Sequence, residues 1–141
     1  MKAFLDTSVL VAAFYVRDER HRPSLDLLLR HREGEACCAL HSVAETFSVL
    51  TGRTGRYRAS GDGAMLFIGQ VRERLALISL TQDEYFGVLE SAAAMGLAGG
   101  VIYDALLGRC AVKAKAESIY TWNVKDFNRL GPDIAARVKT P

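Results

Sequence analysis

Four carboxylates stand where an α/β chain places groups that do chemistry. Asp6 follows the short apolar stretch Lys2 to Leu5, and Glu45 lies in the first turn of the helix after Ala36 to Leu40. Asp104 lies in the first turn of a helix opening at Val101, and Asp126 comes shortly after the stretch that ends at Thr121. Four carboxylates converging on one crevice would repel and raise one another's pKa values unless a cation neutralised them. An all-oxygen set suits Mg²⁺ or Mn²⁺ rather than zinc, and His21, His31 and His41 have no zinc-like spacing to one another or to cysteine. Ions held this way can orient a phosphodiester, lower the pKa of a water and stabilise a leaving oxygen, which is the chemistry of nucleic-acid backbone hydrolysis.

Each acid also has a structural role open to it. Asp6 could cap the helix beginning at Thr7, and Ser42-Val43-Ala44-Glu45 has the form of a capping box. Asp104 and Asp126 suit helix N-termini through the helix dipole alone. Asp104, however, sits between Ile102-Tyr103 and Ala105-Leu106-Leu107, where a solvated charge is not the expected filler.

The elements that must position these acids follow from periodicity. Strands are predicted at Lys2–Leu5, Ala36–Leu40, Leu77–Leu80 and Ser118–Thr121. Helices are predicted from Thr7, from Pro23 to about Gly34, over 42–52, from Ala64 to Leu75, from Thr81 to Met95, over 101–116 and around 125–130. Thr81-Gln82-Asp83-Glu84 is a second capping-box sequence. Thr51 to Gly63 reads as a loop, with room for a helical turn. Strands alternating with helices imply an α/β domain with a mainly parallel sheet. In such sheets ligands bind beyond the carboxyl ends of the strands, where Asp6 lies.

Composition bounds the rest. The chain has 141 residues, 50% hydrophobic and 24% charged with 3 Pro, which excludes disorder and low-complexity architecture and makes one domain over 1–141 the expectation. A net charge of +2 is too small to mark a nucleic-acid binder by itself. Cys37 and Cys38 are adjacent in a strand and point to opposite faces, so no disulfide joins them and a reducing cytoplasm is expected. Asp6 interrupts the N-terminal apolar stretch and Arg17 to Arg20 follow without a small-residue cleavage site, so neither secretion nor a membrane span is expected.

The stretches Phe4-Leu5-Asp6-Thr7-Ser8-Val9-Leu10, Ser42-Val43-Ala44-Glu45, Asp104-Ala105-Leu106-Leu107 and Thr121-Trp122-Asn123-Val124-Lys125-Asp126-Phe127 together resemble the PIN domain family, specifically its VapC-type toxin ribonucleases. The resemblance implies a PIN-like three-layer α/β/α domain with a mainly parallel central sheet of four to five strands. It also implies a Mg²⁺- or Mn²⁺-dependent endoribonuclease, a homodimer, and inhibition by a small VapB-like antitoxin. Asp6, Glu45, Asp104 and Asp126 look like the family's acidic set, with Thr7 or Ser8 a hydroxyl contact to water on the metal. Asn123 departs from the acid many PIN domains carry there, so Asp126 either binds metal directly or acts through water. Asn123 itself either orients substrate or water or caps a helix.

Arg53, Arg56 and Arg58, with Tyr57 among them, offer cations and an aromatic face along an RNA path, or a merely solvated loop. The histidines read as surface or boundary residues, His41 being the one that precedes the Glu45 helix. Trp122 is expected to pack against Phe127. Two rivals differ in kind: a non-catalytic PIN-like binding module in RNA processing or regulation, whose mark would be lost acids, and a receiver domain, whose second acid after the first strand is missing here.

Overall fold

The computed structural model describes residues 1–141. The chain runs β1 (Ala3–Leu5), α1 (Thr7–Phe14), α2 (His21–Arg30), β2 (Ala36–Ala39), α3 (Leu40–Gly52), a 3₁₀ turn (Gly55–Tyr57) and α4 (Gly61–Arg74). It continues through β3 (Ala76–Ile78), α5 (Gln82–Ala94), α6 (Val101–Lys113), β4 (Ser118–Tyr120), α7 (Val124–Asn128), α8 (Pro132–Ala135) and β5 (Val138–Lys139). The five strands form one all-parallel sheet in the order β3-β2-β1-β4-β5.

Both faces of the sheet are covered, which explains why β1 and β2 are buried at every residue. Strand side chains alternate between faces. Ala3, Leu5, Ala36 and Cys38 face a core built with α1, α2, α3 and α4, including Leu10, Leu27, Leu50 and Phe67. Phe4, Cys37, Ala39 and Ile119 face a second core built with Leu107, Cys110 and Phe127 of α6 and α7. Cys37 and Cys38 thus lie in different cores and remain free thiols, as the alternation requires. Burial pushes both thiols up to about 12.

The strand order creates the functional position. From β1 the chain builds β2 and β3 to one side, then returns to set β4 and β5 on the other. The carboxyl ends of β1 and β4 therefore flank a topological switch point, where open α/β sheets bind ligands.

Several boundaries differ from the sequence expectation. Helix α2 opens at His21 with Pro23 in its first turn, where a missing N–H costs nothing, and it ends at Arg30 rather than near Gly34. Helix α4 opens at Gly61 because Ser60 caps it, accepting from the Gly63 N–H at 3.0 Å. Strand β5 and helix α8 were not anticipated; a two-residue strand and a four-residue helix are too short to carry a period. The predicted box at Thr81 is present: its hydroxyl accepts from the Glu84 N–H at 3.2 Å and the Glu84 carboxylate accepts from the Thr81 N–H at 3.1 Å. The predicted box at Ser42 is not. Helix α3 follows β2 directly, with Ala39 as its N-cap, so Ser42 falls inside the helix and Glu45 lies beyond capping reach. No helix is long and apolar enough to cross a membrane.

Candidate active site

Asp6 is the first residue beyond β1, and its N–H still donates to the Tyr120 carbonyl of β4 at 2.9 Å. It also caps α1, so the capping and site positions coincide in one residue. Its Oδ2 accepts from the Ser8 N–H at 3.4 Å, the Ser8 hydroxyl at 2.7 Å and the Thr121 hydroxyl at 2.8 Å. The Ser8 hydroxyl oxygen in turn accepts from the Trp122 N–H at 3.0 Å, and that of Thr121 from the Asn123 N–H at 2.9 Å. One carboxylate thereby joins the β1–α1 and β4–α7 junctions. Asp6 is 2% exposed. Burial pushes its carboxyl above the usual range, while the hydrogen bonds from Ser8 and Thr121 oppose that shift.

Glu45 points from α3 toward α1, where the Thr7 hydroxyl donates to its Oε1 at 3.1 Å. The glutamate is therefore tied to the residue after Asp6 rather than to its own helix end. On its other flank the His41 Nε2 lies 3.9 Å from Oε1, and the His41 ring stacks on Tyr103 with centroids 5.9 Å apart and planes at 6°. His41 is thus half-exposed but beside the site.

Asp104 projects from the first turn of α6. Burial pushes its carboxyl up to about 6, reinforced by the negative charges of Asp6, Asp126 and Glu45. The four acids therefore share one electrostatic field. None of Asp6, Asp104 and Asp126 has a Lys or Arg within ion-pair distance, and Glu45 has only His41.

A crevice of about 320 Å³ is lined by Asp6, Thr7, Ser8, Glu45, Asp104, Asn123 and Arg53, and also by Asp18 and Arg20. A larger groove of about 510 Å³ between α5 and α6 is mostly apolar, with Asp83 and Glu84 as its only carboxylates, so the smaller crevice is the candidate site. No three His, Cys, Asp or Glu side chains converge closely enough to enclose one ion. The fit to a hard divalent cation therefore rests on the donor chemistry: all oxygen, partly desolvated and lacking a strong counter-charge.

Asn123 occupies the N-cap position of α7 yet makes no capping bond with its side chain. Asp126 is not among the crevice-lining residues and acts on Asp104 by charge. Arg56 and Arg58 stay outside: Arg56 donates to the Tyr57 hydroxyl at 3.2 Å, and Arg58 donates to the Thr51 carbonyl at 3.2 Å. Trp122 does not pack with Phe127. It belongs to the α1–α4 side and Phe127 to the other core, because Trp122 precedes α7 and its indole N–H donates to Ser24 at 2.9 Å. Sequence reasoning missed Thr121 as a site residue, and Arg20 altogether. Ser118 to Thr121 reads as plain strand, and Arg20 sits in a run of charges that resembles a solvated turn.

The chain matches the PIN domain family over residues 3–131. Ribonuclease VapC40 of Mycobacterium tuberculosis is 33% identical over 112 residues, covering 79% of this chain and 80% of the relative. Ribonuclease VapC27 of the same species is 34% identical over 114 residues, covering 80% and 79%. Among solved structures, VapBC2 from Rickettsia felis bound to promoter DNA aligns with a TM-score of 0.68 at 18% identity, over 99% of this chain and 98% of that one. Mycobacterium tuberculosis VapC20, a sarcin–ricin loop cleaving toxin, aligns with a TM-score of 0.67 at 19% identity, over 89% and 92%. With the family matched over nearly its whole length, and the sheet order and switch-point acids described above, the chain belongs to the PIN domain family.

Proposed function

We propose that this protein is a Mg²⁺- or Mn²⁺-dependent endoribonuclease, one domain over residues 1–141, acting in the cytoplasm as the toxin of a toxin–antitoxin pair. The observation that carries the reading is the placement of Asp6, Glu45 and Asp104 around one crevice at the switch point, with burial and the charges of Asp6, Asp126 and Glu45 together pushing Asp104 up to about 6. The ribonuclease relatives support RNA as the substrate, and the VapBC complexes among the structural neighbours support a VapB-like partner. Val16 and Leu66, each about three-quarters exposed beside the apolar groove of α1, α2 and α4, offer that partner a surface. Tyr85, Phe86 and Leu89 on α5 offer a separate one for a homodimer.

When bound, a divalent ion supplies charge to the phosphate and acidity to a water. Its ligands would be drawn from Asp6, Glu45 and Asp104, which line one crevice without closing on a single point, with Asp126 adding charge from α7. Ser8 and Thr121 fix the Asp6 carboxylate, and Thr7 fixes that of Glu45, so two of the ligands are oriented by hydroxyls before any ion arrives. Asn123 lines the crevice with its side chain free of a capping bond, which supports a role in orienting RNA or water.

Calorimetric titration of Mn²⁺ into the partner-free protein tests the assignment. Wild type is expected to bind, and Asp104→Asn at least about tenfold more weakly. Absence of binding by wild type, with a short RNA present as well, would leave the acids without a metal to hold and overturn the reading.

A further inference from the structure

Two arginines stand in the crevice wall among carboxylates: Arg53, which the sequence offers as a cation along an RNA path, and Arg20, which it does not. Arg20 and Arg53 both line the crevice. Neither lies within ion-pair distance of any acid. Each is instead laid over an aromatic ring: the Arg20 guanidinium is 5.2 Å from the Trp122 centroid, and that of Arg53 is 4.6 Å from the Tyr15 centroid.

The rings themselves are anchored. Trp122 donates from its indole to the fully buried Ser24 at 2.9 Å and from its backbone to Ser8 at 3.0 Å. Tyr15 donates its hydroxyl to the Tyr57 carbonyl at 2.9 Å. The Arg20 backbone is held as well, its N–H donating to Asp18 Oδ1 at 2.8 Å. A guanidinium resting on an anchored ring loses rotamer freedom in advance, and its in-plane N–H groups stay available for a bidentate anion. Arg56 is the contrast: it lies over its own exposed neighbour Tyr57, donates to that hydroxyl and does not line the crevice.

From these observations, and resting on the ribonuclease reading above, we propose that Arg20 and Arg53 are preset phosphate clamps, gripping from separate walls of the crevice the RNA phosphates that flank the cleaved bond. They are positioning residues: each fixes the strand, and neither exchanges a proton. Aromatic support and the absence of an internal ion pair keep both cations available for an anion that comes from outside.

The test is the salt dependence of RNA binding, measured between about 50 and 200 mM salt, with a labelled single-stranded RNA and Asp104→Asn as the non-cleaving parent. Arg20→Ala and Arg53→Ala are each expected to lower the slope of log K against log salt by about 0.7, and the double variant by about 1.4. Each should also weaken binding roughly fivefold. Arg20→Lys and Arg53→Lys keep the charge and should keep the slope, which a merely structural role would not predict. Arg30→Ala, an exposed charge at the end of α2, is the charge-matched control and should leave the slope unchanged. Unaltered slopes in both alanine variants, beside a parent that binds RNA, would overturn the clamps and leave the ribonuclease reading standing. So would a loss of antitoxin affinity without a change in RNA slope. A wild type that neither binds nor cleaves RNA would overturn both.

Discussion

Asp104→Asn is expected to reduce RNA cleavage by roughly 10³-fold, the scale seen when one preorganised charge-stabilising group is removed from an active site. It should do so without unfolding the protein. The Asp104 carboxyl, pushed up to about 6 by burial and by Asp6, Asp126 and Glu45, titrates near 3.8 when unfolded. Between those values the folded state holds a proton that the unfolded chain has released. Stability without metal therefore falls as pH rises from about 4 to about 6. Asparagine has no such proton, so the variant lacks this part of the decline and at neutral pH is at least as stable as wild type. Mn²⁺ should restore stability to wild type and little to the variant. Melting curves at pH 4 and pH 7, with and without Mn²⁺, check the linkage, and single-turnover cleavage checks the activity.

The second large effect lies one residue from the site. Phe127 is fully buried and packs with Leu107, Ile119 and Leu130. Phe127→Ala is expected to cost about 3–5 kcal/mol, through lost burial and the cavity left behind. For a chain of this size that is a fall in Tm of roughly 10–20 °C. Helix α7 has only five residues, too few to be stable alone, so its place depends on this anchor. Asn123 and Asp126 stand at its start. Cleavage should therefore also fall at temperatures where the variant is still folded, while Phe127→Leu, which keeps most of the volume, costs less than about 2 kcal/mol and retains most activity. Thermal unfolding and cleavage rates at 20 °C separate the two losses.

The acids were legible because an isolated carboxylate directly after an apolar strand, as at Asp6, stands out against its neighbours. The alternation in Cys37-Cys38 was legible for the same reason: period two is a local property. Three kinds of feature were not. The Ser42 box failed because capping depends on where the helix starts, and β2 runs into α3 without the spacer that the motif presumes. The hydroxyl contacts of Ser8 and Thr121 to Asp6 join residues 115 positions apart or two, and serine and threonine are too common at strand ends to signal such a contact. Arg20 gains meaning only from Trp122 beneath it, and Arg53, a candidate already from its arginine-rich loop, is set apart from Arg56 and Arg58 by Tyr15 beneath it and by its place in the crevice. Arg56 and Arg58, in the loop whose composition is more suggestive, make local hydrogen bonds and lie outside the crevice lining.

The most direct test of the central claim is cleavage of RNA by the purified, partner-free protein with Mg²⁺ or Mn²⁺ and with EDTA, mapping the ends of the products. The account predicts cleavage that needs the divalent ion, stops with EDTA, and leaves 5′-phosphate and 3′-hydroxyl ends because the 3′ oxygen is the leaving group. Undiminished cleavage in EDTA with 2′,3′-cyclic phosphate ends would contradict it, since that chemistry uses the ribose hydroxyl and has no need of four gathered carboxylates.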